Sequence, residues 1–124
     1  MHGSSSVPQE WLAIINEFGG NIPETYGVPV EQIQEGIRHG VRKINIDTDL
    51  RLASTGAVRR FLAQNPAEFD PRKFLAVTTT AMKEICVARY EAFGTAGHAD
   101  KIKVRSLIAM QEAYDAGELG PQPR

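Results

Sequence analysis

One run limits what this chain can fold into: Val41-Arg42-Lys43-Ile44-Asn45-Ile46-Asp47-Thr48-Asp49. It is the only stretch that reads clearly as a strand. Side chains on a strand point to opposite faces in turn. Ile44 and Ile46 therefore share one face, and Lys43, Asn45 and Asp47 the other. Helical patterns flank the run on both sides, as in a βαβ unit whose strand is covered on both faces. The polar face is then expected to look into an enclosed place. Its polar groups gather at the carboxyl end of the strand, where parallel-strand barrels and open α/β sheets hold their sites.

A lone strand leaves both edges unpaired, and one strand with about five helical segments does not make a sheet. The chain of 124 residues is either an all-helical domain with a stray strand or part of a larger α/β domain, and the unpaired edges favour the second. Fourteen Lys and Arg against 15 Asp and Glu argue against a nucleic-acid or acidic-membrane partner held by bulk charge. The single cysteine, Cys86, excludes an internal disulfide and fits a reducing cytoplasm. No apolar run reaches the length of a transmembrane helix. Met-His-Gly-Ser-Ser-Ser at the start has neither the basic nor the apolar region of a secretory signal.

Apolar spacing marks the helices. The first is expected over residues 7–18, with Ser6 and Gln9 as a capping box and Trp11, Leu12, Ile14, Ile15 and Phe18 as its stripe. Gly19-Gly20 stops it. Val30, Ile33 and Ile37 mark a short helix closed by Gly40. A helix over residues 50–64 follows the strand, capped by Thr48 or Asp49, with Arg51, Arg59 and Arg60 on a solvated face. Asp70-Pro71 starts a long helix to about Phe93; Thr78 to Thr80 lower its propensity, so packing must hold it. A last helix, residues 100–116, is expected to bury Val104, Leu107, Ile108 and Tyr114. Residues 118–124 read as a loose tail.

Two clusters carry candidate chemistry. His2, on a Gly/Ser loop before a helix, is either a metal ligand or a terminal residue without a task. The same loop, Gly3-Ser4-Ser5, opens onto a helix N-terminus, where phosphate is favoured, although serine and glycine there also serve as plain caps. Asn45 carries a donor and an acceptor near the strand end and suits an oxygen of a bound sugar. Asp47 shares its face, and Thr48 begins a helix. Capping accounts for one or two of Asp47, Thr48 and Asp49, not for all three beside Asn45. Cys86 reads as an inert packed thiol, and His39 and His98 as structural or solvated. Arg72 sits at a helix start, where cations are not favoured. With three separated histidines, the chain does not declare a complete metal site.

Taken together, His2-Gly3-Ser4-Ser5-Ser6-Val7-Pro8-Gln9-Glu10, Gly40 to Asp49, and Ala88-Arg89-Tyr90-Glu91-Ala92-Phe93-Gly94 resemble the last third of class II, metal-dependent fructose-1,6-bisphosphate aldolases, in a form common among autotrophic bacteria. The resemblance covers essentially the whole chain. It implies a partial domain: the C-terminal part of a (β/α)8 TIM barrel, with the end of strand seven, strand eight and flanking helices, mostly helical in isolation. It implies a lyase of glycolysis, gluconeogenesis and the Calvin cycle that cleaves fructose 1,6-bisphosphate to dihydroxyacetone phosphate and glyceraldehyde 3-phosphate through a metal-stabilised enediolate. The metal is a divalent ion, commonly zinc, with a monovalent cation as an optional second ion, and the parent is a homodimer or larger.

By the family pattern His2 matches the third metal-ligand histidine. Gly3, Ser4 and Ser5 match the loop for the dihydroxyacetone phosphate phosphate group. Asn45, Ile46, Asp47 and Thr48 match the substrate segment, with Asn45 catalytic. Arg72 matches the arginine that reaches the other phosphate across a subunit interface. The catalytic acid, the base and two metal-ligand histidines have no counterpart here. The chain is therefore expected to be a piece of an aldolase, inactive alone and poorly soluble. A piece of a tagatose or sedoheptulose bisphosphate aldolase, or a stand-alone helical interaction module, are the other readings.

Overall fold

The computed structural model describes residues 1–120, and five α-helices dominate it. They are α1 (Gln9–Glu17), α2 (Val30–Arg38), α3 (Thr48–Gln64), α4 (Pro71–Ala92) and α5 (Leu107–Asp115). A 3-10 turn, Ala99–Lys101, lies between α4 and α5.

The core follows from the apolar stripes. Helix α3 packs against α4 on one side and α1 on the other. Trp11, Leu12 and Ile15 of α1 meet Leu52, Ala53 and Ala57 of α3 and Ala81 and Ile85 of α4, with Val7 at the edge. Small residues on α3 allow the close approach: a methyl group on buried Gly56 would lie 2.7 Å from Cε3 of Trp11. Helix α4 starts as its sequence demands, with the Asp70 carboxylate accepting from the Arg72 backbone N–H at 2.9 Å and Pro71 in the first position. The threonine run is held by packing: Thr78 is buried and its hydroxyl donates to the Leu75 carbonyl at 2.7 Å.

Three expectations need correction. Among the described residues no strand is formed, and Val41 to Asp47 is irregular chain without a sheet. A strand needs neighbours for its N–H and C=O groups, and between Arg42 and Ile46 only Met1 supplies backbone partners among the described residues. The polar face therefore stays open rather than enclosed, with Lys43 and Asp47 exposed. Second, Ser6 and Gln9 do not form a capping box. No side chain caps α1; the Ser6 hydroxyl donates to Asp49 and the Gln9 amide to the carbonyls of Val7 and Thr25.

Third, the last helix is shorter than expected and its apolar residues are not buried. Val104 is 97% exposed and Leu107 89%, and Ile108 and Tyr114 are exposed too. The alternation Lys101-Ile102-Lys103-Val104-Arg105 disfavours a helix, and Ser106 starts a fresh one by accepting from the Ala109 N–H at 3.1 Å. Glu118 and Leu119 of the expected tail are exposed, and its last four residues lie outside the described residues.

Candidate sugar-phosphate site

The Val41 to Asp47 segment meets the N-terminal loop through its backbone. The Met1 amino group donates to the Lys43 carbonyl at 2.7 Å, and the Asn45 N–H donates to the Met1 carbonyl at 3.1 Å. These two bonds flank Ile44 in the pattern of a parallel pair. Ile44 and Ile46 line a cleft of about 450 Å³ together with Ile85, Cys86 and Phe93, and Lys43 borders it too, so the expected alternation holds only in part. Asn45 turns the other way and its side-chain amide lies 2.9 Å from Nδ1 of His2, across 43 residues of sequence.

The next contact caps α3 from a distance. The Ser5 hydroxyl oxygen accepts from the N–H groups of Asp47, at 3.2 Å, and Thr48, at 3.1 Å. None of the three expected caps serves this role: Asp47 makes no side-chain cap and pairs instead with Arg51 one turn on, at 2.7 Å. The N–H groups suited to phosphate are thus held by Ser5 in the free chain. The loop behind Ser5 is pinned too. The Val28 N–H donates to the Ser5 carbonyl at 3.0 Å, and a methyl group on Gly27 would sit 2.1 Å from that oxygen. Only glycine lets the two backbones pass so closely.

His2, Gly3, Ser5, Asn45, Asp47 and Thr48 therefore lie along one seam between the N-terminal loop and the start of α3. Ser4 is in the loop but fully buried, its hydroxyl turned back to the Met1 carbonyl at 3.2 Å. Ile46 faces the cleft. Arg72 is not brought to the seam. It grips Asp70 through three side-chain bonds of 2.6–3.0 Å at the far end of α4, roughly 25 Å along the helix from Arg89 at 1.5 Å per residue. His39 pairs with Glu35 at 2.8 Å, and His98 lies near Lys101. Arg59 and Arg60 are not merely solvated: Arg59 donates to the Phe18 carbonyl, and Arg60 lies over the Trp11 ring at 5.6 Å.

Sequence reasoning missed a buried charge network directly behind the seam. Asp49 is fully buried. Its carboxylate accepts from the Val7 N–H at 2.9 Å, the Ser6 hydroxyl at 2.8 Å and Arg89 Nη2 at 3.2 Å. A surplus of cap candidates at Asp47-Thr48-Asp49 was the signal available for it.

The class-II fructose-bisphosphate aldolase family model matches residues 1–98. The chain belongs to that family. It is 73% identical over 122 residues to a fructose-bisphosphate aldolase of Pseudomonas aeruginosa and 62% identical over 119 residues to one of Xanthobacter flavus. A class 2 fructose-bisphosphate aldolase of Synechocystis is 60% identical over 119 residues. These alignments cover 96–98% of this chain but only 33–34% of the relatives. The chain thus spans about a third of the length of the aldolases it matches. Among the described residues no three His, Cys, Asp or Glu side chains come together to hold a metal, and no helix is long and apolar enough to cross a membrane.

Proposed function

We propose that this chain carries the sugar-phosphate side of a class II aldolase site. The reaction is reversible cleavage of fructose 1,6-bisphosphate to dihydroxyacetone phosphate and glyceraldehyde 3-phosphate in the cytoplasm. The observation that carries the reading is the meeting of His2 with Asn45 beside the Ser5-capped start of α3. Two stretches about 40 residues apart bring an imidazole, an amide and a helix N-terminus to one seam, a combination suited to an oxygen-rich anion.

The residues fit a divalent metal as one ligand. His2 is exposed, and with one ring nitrogen against Asn45 the other is open. A ligating imidazole donates its second ring N–H to an oxygen, a part the Asn45 carboxamide oxygen plays when it faces Nδ1. Zinc bound there would polarise the ketone of the substrate. The remaining ligands, acid and base belong to the two thirds of the relatives' length that this chain does not span. This chain's own residues bind and orient: Gly3 and Ser5 with Thr48 receive a phosphate, buried Ser4 braces the loop through the Met1 carbonyl, Asn45 and Asp47 hold substrate oxygens, and Ile46 walls the segment. Arg72, too far along α4 to serve its own seam, fits the role of reaching a second subunit's phosphate in a homodimer or larger assembly.

Alone, the chain with added zinc should cleave no fructose 1,6-bisphosphate; measurable turnover would overturn the incomplete set. In a full-length aldolase carrying this segment, His2→Ala and Asn45→Ala should each lower kcat/KM about 100-fold or more. Turnover like the unaltered enzyme would defeat the assignment. A second reading, a helical interaction module, draws on Ile102, Val104, Leu107 and Ile108 at the surface, and leaves the His2–Asn45 contact without a task. Tagatose or sedoheptulose bisphosphate as the substrate is separated by comparing kcat/KM for the three sugars.

A further inference from the structure

We infer that the Asp49–Arg89 pair, bridged by Ser6, positions the phosphate loop. It fixes residues 5–7 in one conformation and thereby places the Ser5 hydroxyl on the first N–H groups of α3. The inference rests on the sugar-phosphate reading of the seam and names residues for it that have no contact with substrate.

Three observations carry it. First, the Asp49 carboxylate does not serve its own helix. Its three donors come from the loop, at Val7 and Ser6, and from the last turns of α4, at Arg89. Ser6 closes the triangle: its hydroxyl donates to Asp49 and accepts from Arg89 Nη2 at 2.6 Å. Second, the loop is held where it would not rest by itself. Val7 has φ of 54°, the left-handed region that a β-branched residue avoids, and its N–H is the one bound to Asp49. A strained residue persists only where its surroundings over-determine it. Third, the network is an expensive way to fill space. Burying an ion pair gains little over well-packed apolar side chains, and Arg89 Nε is buried with no partner. The guanidinium is committed to Ser6 and Asp49 at the expense of its own full hydrogen bonding.

The consequence is directional. Ser5 immediately precedes the two residues that the network grips, so loosening Ser6 or Val7 shifts Ser5 relative to Asp47 and Thr48. The geometry of the phosphate seam then depends on the carboxyl-terminal end of α4, more than 80 residues away in sequence.

The test uses the 124-residue chain with Ser6→Ala, Ser6→Thr and Arg89→Lys, and the double variant Asp49→Asn with Arg89→Gln, which removes both buried charges together. Three quantities are read: the thermal melt, the amide resonances of Asp47 and Thr48, and affinity for dihydroxyacetone phosphate by NMR titration. Ser6→Ala and Arg89→Lys should melt cooperatively with native helix content, displace both resonances and weaken binding about tenfold. Ser6→Thr should restore resonances and affinity. The double variant should reproduce the displacement in a folded chain. Wild-type resonances and affinity in Ser6→Ala and Arg89→Lys would overturn the inference. So would displaced resonances with unchanged affinity, or affinity lost only in proportion to the unfolded fraction. If the unaltered chain does not bind dihydroxyacetone phosphate while the variants still displace both resonances, the functional reading fails and the positioning stands.

Discussion

Gly56 shows how one missing methyl group sets the distance between α1 and α3. Alanine there improves helix propensity by about 1 kcal/mol, but its Cβ would press on the Trp11 ring at 2.7 Å and on Ile14 at 3.4 Å. Overpacking of that kind costs about 1–3 kcal/mol, so Gly56→Ala should lower the melting temperature despite the better propensity. A second residue-scale expectation concerns acid. The bond from Lys73 holds Glu68, and the bond from Arg72 holds Asp70, below their ordinary values of 4.5 and 3.8. A carboxylate with a lowered folded value contributes stability that is fully present above the ordinary value and is lost as pH falls through the lowered one. The melting temperature should therefore fall in acid below about pH 4.5, and Glu68→Gln with Asp70→Asn should flatten that limb. The His2–Asn45 meeting was legible only through the family resemblance, since no local pattern links residues 43 apart. The Asp49–Ser6–Arg89 triangle was not: a buried ion pair depends on which distant helix end closes over it, and local pattern carries no trace of that.

The four longer-range helices were legible because their stops are chemical. Asp70-Pro71 begins α4, and Gly19, Gly40 and Gly94 with positive φ follow α1, α2 and α4. Cap identity was less legible, since the hydroxyl at the start of α3 comes from Ser5, more than 40 residues earlier. The C-terminal region departs from the expected helix over residues 100–116 because period-two alternation from Lys101 to Arg105 favours extended chain over a buried helical face. Helix α5 buries Ala113 and exposes its larger apolar residues. Limited trypsin digestion should accordingly cut first after Lys101, Lys103 or Arg105 and leave a resistant piece containing α1 to α4, identified by mass. Equal protection of these sites and of Arg59 in α3 would show α5 to be firmly packed.

At the scale of the molecule, a chain spanning about a third of the relatives' length brings the N-terminal loop and the start of α3 together without a sheet around them. The expected strand eight is irregular chain with a single parallel-type partner at Met1, and Ile44 and Ile46 border a cleft against α4. Barrel strands are completed by neighbours, so a stretch without a flanking strand forms no sheet. The central claim is that the Gly/Ser loop and the Asn45 to Thr48 segment meet around one sugar phosphate. Titrating the isotope-labelled chain with dihydroxyacetone phosphate tests it most directly. Amide shifts confined to residues 3–5 and 45–48 are expected, while no shift, or shifts centred on the cleft or on α5, would contradict it.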